Sequence, residues 1–304
     1  MSYTMKLLTA IVTFNRCDLL ARCIDHVQSQ SRPTDALVVI NNGSTDGTVA
    51  MLAARGVLVI NQDNVGSAGG WHRAIQHALD GGFDAVWLMD DDGYPDVKAL
   101  GCLEQALVPD VVCASSIVVQ ENRPDHFVFP FPVLDKSSLP VIFSWPRKIP
   151  TVDALREHAP GGTYPFVHLF NGALVSLEMV RKVGNVNREF FIYGEEVDFY
   201  FRIRKTGQVI SVFDALHFHP DVSTRPYNIL KVYYYVKNTL ILNKSHYNKI
   251  WLRHIFMLGL ILYRLLLRNG ISFGLSLLVG KNSSAFYKAI SRGLKGQIGR
   301  DFDV

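Results

Sequence analysis

Four short apolar runs near the N-terminus leave few folds open to this chain. They are residues 6–14 (KLLTAIVTF), 36–42 (ALVVINN), 56–62 (GVLVINQ) and 84–89 (DAVWLM). Each is nearly continuous in aliphatic residues, the pattern of a strand buried on both faces. Between them the period changes. In residues 17–31 (CDLLARCIDHVQSQS), Leu19, Leu20, Cys23, Ile24 and Val27 recur at helical spacing, with Asp18 placed to cap. Ser44, Thr45 or Asp46 can cap a helix through Val49–Ala54, and a glycine-rich loop opens a third helix at WHRAIQHAL. Strand and helix alternating in this way predict an α/β fold with a doubly wound, mostly parallel sheet.

Open sheets of this kind bind ligands at the carboxyl ends of their strands. Those ends carry Thr13–Arg16, Asn41–Asp46, Asn61–Gly70 and Asp90–Asp92, so every polar cluster of the first hundred residues falls on one rim. Further along, VVCASSIVV, HLFNGALVS and VISVF read as strands. Pro124–Pro165, rich in proline, reads as long loops over a binding site. From Tyr227 the pattern is helical, basic and apolar. The expected division is a catalytic domain over 1–226, with a nucleotide half to about 110 and an acceptor half over 111–226, then a helical region over 227–304.

Bulk properties narrow the partners. A net charge of +4 is too small to argue for nucleic acid and suits an anionic small molecule or a phospholipid surface. Four cysteines without CxxC spacing point to a reducing cytoplasm. The N-terminal run reads as a strand rather than a signal peptide. No run reaches the ~20 apolar residues of a membrane span; Ile255–Leu267 comes nearest and contains Arg264.

The chemistry concentrates in three places. Asp90, Asp91 and Asp92 end a strand as three adjacent carboxylates, oxygen ligands suited to Mg²⁺ or Mn²⁺ with substrate phosphates completing the shell. Strand alternation places Asp90 and Asp92 on one side and Asp91 on the other; the bland alternative is a solvated Asp-Gly turn. Asn64, Gly66, Gly69 and Gly70 lie in a loop that offers backbone N–H groups at a helix start, a seat for a diphosphate or simply a tight turn. Glu195, Glu196, Asp198 and Arg202 form a second acidic cluster. A helix beginning near Glu195 lets Asp198 pair with Arg202, and a glutamate there is either a dipole partner or a general base. His217 and His219 follow at a strand end, where one imidazole could complete a carboxylate metal site. Trp71 and Trp145 are sugar-stacking candidates with core packing as the rival.

The ordered set VTFNR, VVINNGSTDGT, NVGSAGGWHRAI, WLMDDD, FNGALVS, FFIYGEEVDFYFRIRKTG and DALHFH resembles glycosyltransferase family 2, closest to its bacterial rhamnosyl- and galactofuranosyltransferase branch, over about residues 6–240. The resemblance implies a GT-A fold, a nucleotide-sugar donor such as a UDP-sugar, a divalent metal, Mn²⁺ or Mg²⁺, and inversion at the anomeric carbon. It implies donor contacts from Thr13, Asn15, Arg16 and Asn41, the last standing where the family usually has aspartate. The glycine loop and Asp91 join them. It further implies metal ligation by Asp90, Asp92 and His219, and a catalytic base at Glu196 with Glu195 as the alternative. Trp71, Asn171, Gly172 and Asp198 are the acceptor-side candidates. A glycan or lipid-linked acceptor, as in O-antigen and other surface polysaccharides, would place the enzyme in the cytoplasm or at the inner face of the membrane. The C-terminal helices are then expected to lie on the membrane interface or to pair with a second subunit. Two rivals differ in kind. A sugar nucleotidyltransferase needs glycine and basic residues after the first strand, where this chain has TFNRCD. A non-catalytic glycan-binding protein would not need the intact acidic clusters.

Overall fold

The computed structural model describes residues 5–302; the outermost residues of the two expected domains lie outside that range. The chain opens with β1 (Leu7–Thr13), α1 (Cys17–Gln28), β2 (Ala36–Asn41), α2 (Thr48–Ala54), β3 (Leu58–Asn61), α3 (Gly66–Asp80) and β4 (Ala85–Asp90). Next come β5 (Tyr94–Pro95), α4 (Ala99–Ala106), β6 (Val111–Gln120), β7 (Arg123–Pro132), β8 (Lys148–Thr151), α5 (Val152–His158) and β9 (Thr163–Tyr164). Then follow β10 (Asn171–Ser176), α6 (Leu177–Val183), α7 (Glu195–Ile203), β11 (Gln208–His219), α8 (Ile229–His246), α9 (Ile250–Val279) and α10 (Ser283–Leu294).

The sheet runs β3-β2-β1-β4-β10-β6-β11-β5. Its first four strands are parallel, β10 is inserted antiparallel, and β6 pairs β11 in parallel. The continuous apolar runs have a direct cause. Leu8, Ala10 and Val12 of β1 enter a core under α3, α6 and α7, whereas Leu7 and Ile11 enter a second core under α1, α2 and α4. A strand buried on both faces has no polar side to show. Helix starts follow the expected chemistry with one change. Asp46, not Asp18, does the capping: its carboxylate accepts the Thr48 and Cys17 amides, tying the starts of α2 and α1 together.

Two expectations are corrected. The Pro124–Pro165 stretch is not all loop, for it contains β7, β8, α5 and β9. β7 accommodates Pro124, Pro130 and Pro132 because its ladders with β6 and β8 are sparse and shift register, so few ladder donors are required. The C-terminal region also holds a longer apolar element than the sequence count allowed. α9 has 30 residues with a window of mean hydropathy 1.7, long and apolar enough to cross a membrane by length and composition alone. Arg264, which interrupts the run, donates to the Tyr235 hydroxyl of α8 at 3.0 Å, and Arg268 just beyond it covers the ring of Tyr227 before α8. α9 is broken at Gly270, whose φ of 82° is left-handed.

Candidate active site

One cavity of about 760 Å³ opens at the carboxyl ends of the strands and is lined by residues from all three acidic or histidine motifs. β4 stops at Asp90, so strand alternation does not reach Asp91 or Asp92. The expectation that Asp91 faces away fails for this reason, and all three aspartates line the cavity. Asp91 accepts the Thr13 hydroxyl at 2.7 Å and the Arg16 guanidinium at 2.9 Å. The same Arg16 nitrogen lies 2.6 Å from Asp92, and Arg225 reaches Asp92 at 3.5 Å. His219 Nε2 stands 2.9 Å from the other Asp92 oxygen.

The three carboxyls titrate apart. Burial, then the charges of Asp92 and Asp91, push Asp90 well above the usual carboxylate range. Burial also raises Asp91, with Arg16 and Thr13 opposing. Burial would raise Asp92 too, but hydrogen bonding and charge from His219, helped by Arg16 and Arg225, hold it far below normal.

That donor set suits a hard divalent cation. Asp90, Asp92 and His219 supply two carboxylates and an imidazole beside one cavity. Among the described residues no three His, Cys, Asp or Glu side chains already enclose a cation position. His217 is excluded as a ligand. It is fully buried outside the cavity lining, and its ring packs where Cβ atoms on Gly93 and Gly172 would stand.

The second acidic motif meets the same cavity. α7 starts at Glu195, as the motif predicted, and Asp198 accepts Arg202 at 2.8 Å. Glu195 is buried, with one oxygen accepting the Ser67 hydroxyl and the other sealed without a partner among the described residues. Glu196 is less buried, with one oxygen held by the Leu169 amide at 2.8 Å. Burial pushes both carboxyls up to about 7, against the pull of Ser67 on Glu195 and of the Leu169 and Phe170 amides on Glu196. Such a group is a proton acceptor poised near neutrality.

The turn before this pair is strained. Phe191 and Tyr193 have φ of 65° and 59°, and Gly194 has 108°. Asn238, from α8, holds the turn by donating its side-chain amide to the carbonyls of Phe190, Ile192 and Tyr193. Helix α8 therefore shapes the turn that leads into Glu195 and Glu196, a role that neither its composition nor its period signalled.

Several expected contacts lie elsewhere. Asn41 spends its amide on Asn61 and its oxygen on the Ser44 amide, and does not line the cavity; its neighbour Asn42 does. Asn15 accepts the Thr45 amide and is likewise committed to loop structure. A Cβ on Gly70 would meet Val12 at 2.6 Å, so that glycine serves the contact of α3 with β1; Gly69 meets only Val65. Gly66, Asn64 and Ser67 do line the cavity, with Gly66 pressed against the Phe191 carbonyl. Asp198 is taken by Arg202 and by His246 at 2.9 Å, away from the cavity. Gly172 abuts His217 and Ser116, whereas Asn171 lines the cavity. Trp71 lines the cavity but is buried and stacked on Phe170 at 4.3 Å. Trp145 is 92% exposed and outside the site.

The fold and motifs agree with known proteins. The family model described as "Glycosyl transferase family 2" matches residues 9–128. The chain is 30% identical over 230 residues to galactofuranosyltransferase GlfT1 of Mycobacterium tuberculosis, covering 71% of each. It is 30% identical over 227 residues to GlfT1 of Mycolicibacterium smegmatis, covering 72% of each. Among solved structures it resembles the mannosyltransferase PcManGT from Pyrobaculum calidifontis, solved with GDP-Man and Mn²⁺. The TM-score is 0.58 at 15% identity, over 97% of this chain and 86% of that one. It also resembles GalNAc-T7, solved with UDP, GalNAc and Mn²⁺, with a TM-score of 0.58 at 14% identity over 83% and 50% of the two chains. These similarities make the chain a glycosyltransferase of family 2, in the galactofuranosyltransferase-like branch.

Proposed function

We infer that this enzyme moves galactofuranose, with rhamnose as the second candidate, from a nucleoside-diphosphate donor to a hydroxyl of a glycan or lipid-linked acceptor. The reading rests above all on one observation: Asp92 with His219, and Glu196, line a single cavity. The 30% identity to galactofuranosyltransferases supports the choice of sugar.

Asp92, His219 and Asp90 would hold Mn²⁺ or Mg²⁺, which when bound neutralises charge growing on the departing diphosphate. Glu196 takes the proton of the acceptor hydroxyl. The hydroxyl oxygen forms a bond to the anomeric carbon as the bond to the diphosphate breaks on the opposite face, so the configuration inverts. Glu196 suits this task better than Glu195, because it is the less buried of the two while Glu195 is occupied by Ser67. Gly66 and Ser67 bring the start of α3 to the cavity wall, although the Gly66 amide is spent on Asn64 and the Ala68 amide on the Phe191 carbonyl.

Membrane contact through α9 completes the proposal. Ile255, Leu267 and Ile271 are each about 70% exposed on this helix, a face that a soluble surface does not leave open without use. An acyl-chain boundary at the inner face of the bacterial membrane fits it, and brings a lipid-linked acceptor to the cavity. A second copy of the chain is the competing occupant, separated by measuring mass in solution with and without vesicles.

A donor panel tests the function. UDP-galactofuranose, dTDP-rhamnose and GDP-mannose are each incubated with the enzyme, Mn²⁺ and a bacterial membrane extract as acceptor source. Release of UDP from the first is expected. Release of none of the three diphosphates would overturn the reading.

A further inference from the structure

Three cations gather on the acidic rim from two distant parts of the chain. Arg16 follows β1, Arg225 lies between β11 and α8, and Lys231 stands in the first turn of α8. Arg16 and Arg225 both reach Asp92, and Lys231 lines the cavity. Arg16 and Arg225 each have a carboxylate partner; the Lys231 ammonium has no hydrogen bond or ion pair among the described residues. Burial and the two guanidiniums depress its pKa, with Asp92 opposing. Crowding a third cation beside two others costs electrostatic energy, and Asp92 is already shared by His219 and both arginines.

The placement of these groups shows what the arrangement fits. Arg225 reaches Asp92 from one side, and Lys231 lines the cavity with its ammonium unengaged among the described residues. An ammonium and a guanidinium facing one cavity are groups that bind phosphate oxygens by charged hydrogen bonds. The geometry points to Arg225 and Lys231 as a diphosphate clamp supplied by the C-terminal region, reading a donor's second phosphate. This deepens the transferase reading and rests on it, because it names residues for the leaving group of that reaction. The positions are well chosen for the purpose. Lys231 lines the cavity, so its ammonium meets an entering ligand without displacing core, and the α8 start also offers backbone N–H groups beyond the one that Asn228 caps.

Calorimetric titration of the full-length protein in Mn²⁺ tests this. The probes are UDP, GDP and dTDP, each with its matching monophosphate, and Mn²⁺ alone. In wild type the preferred diphosphate binds more tightly than its monophosphate. Lys231→Gln and Arg225→Gln are each expected to weaken the diphosphate about tenfold, as loss of a charged hydrogen bond does. The monophosphate should change by less than about threefold, so the ratio between the two collapses. Lys231→Arg should keep the ratio. Mn²⁺ alone should bind Lys231→Gln as it binds wild type. An unchanged ratio in both glutamine variants would overturn the clamp while leaving the transferase reading intact. So would tighter Mn²⁺ binding by Arg225→Gln with nucleotides unaffected, which would make Arg225 merely a counter-ion for Asp92. Wild type that binds none of the three diphosphates would overturn both readings together.

Discussion

The N-terminal sheet and the C-terminal helices divide the charge of the molecule between them. Residues 1–226 hold 25 Asp and Glu against 19 Lys and Arg, whereas residues 227–300 hold 12 Lys and Arg and neither Asp nor Glu. Yet both line the same cavity. The acidic half offers groups for a cation and a proton. The basic half offers groups for phosphate on one side of α8 and, along α9, an apolar face. A formal net charge of +4 conceals this division, which is why bulk charge alone said so little about partners.

The sharpest way to break the comparison is on the acidic side. Glu196→Gln should lower kcat on the order of 10²–10⁴-fold, the worth of a general base, with little change in diphosphate affinity. Glu195→Gln should cost far less, because Glu195 is sealed behind its neighbour and bonded to Ser67. Equal losses would mean that the two glutamates share the proton. Next in size, Asp92→Asn should reduce transfer about 10²–10³-fold and abolish the benefit of added Mn²⁺, read as diphosphate release across a metal titration. A variant that keeps its metal response would move the cation away from His219.

A smaller effect follows from the raised glutamates. Both sit near 7 because burial disfavours their charge. The base works ionised, so kcat should rise with pH through about 7 and be roughly tenfold lower one unit below that point than on the plateau. The same shift acts on stability in the opposite sense. Folding keeps the benefit of protonated, buried glutamates at pH below their ordinary range and loses it as pH rises through 7. A rate profile flat between pH 6 and 8 would contradict the assignment. The smallest effect on chemistry belongs to the basic half. Ile255→Glu with Leu267→Glu, both on exposed positions, should leave transfer to a water-soluble acceptor within about twofold and the melting temperature nearly unchanged. Co-sedimentation with anionic vesicles should drop severalfold. Vesicle binding that survives the change would assign the α9 face to a second copy instead.

Legibility in the sequence tracked local chemistry. The parallel strands were readable because burial on two faces forces unbroken apolar runs, and the strand ends because ligands collect there. α7 was readable to the residue, since the Asp198–Arg202 spacing and the acidic first turn belong to a helix start. What escaped was nonlocal. Asn41 looked like a base reader, but its register opposite Asn61 on β3 made it a cross-strand bridge. Gly70 looked like a ligand seat, but Val12 lies under it. Asp91 was misplaced by extending the strand period one residue beyond the strand. Nothing in the sequence near Asn238 signals that it holds three carbonyls of a turn more than forty residues earlier.

The most direct test of the central claim is anomalous scattering from crystals soaked with Mn²⁺ and the preferred nucleoside diphosphate. The account predicts one manganese peak within bonding distance of Asp92 and His219, with the diphosphate between it and Lys231 and the Glu196 carboxylate facing the same space. Manganese bound elsewhere, with Asp92 and His219 still joined to each other, would contradict it.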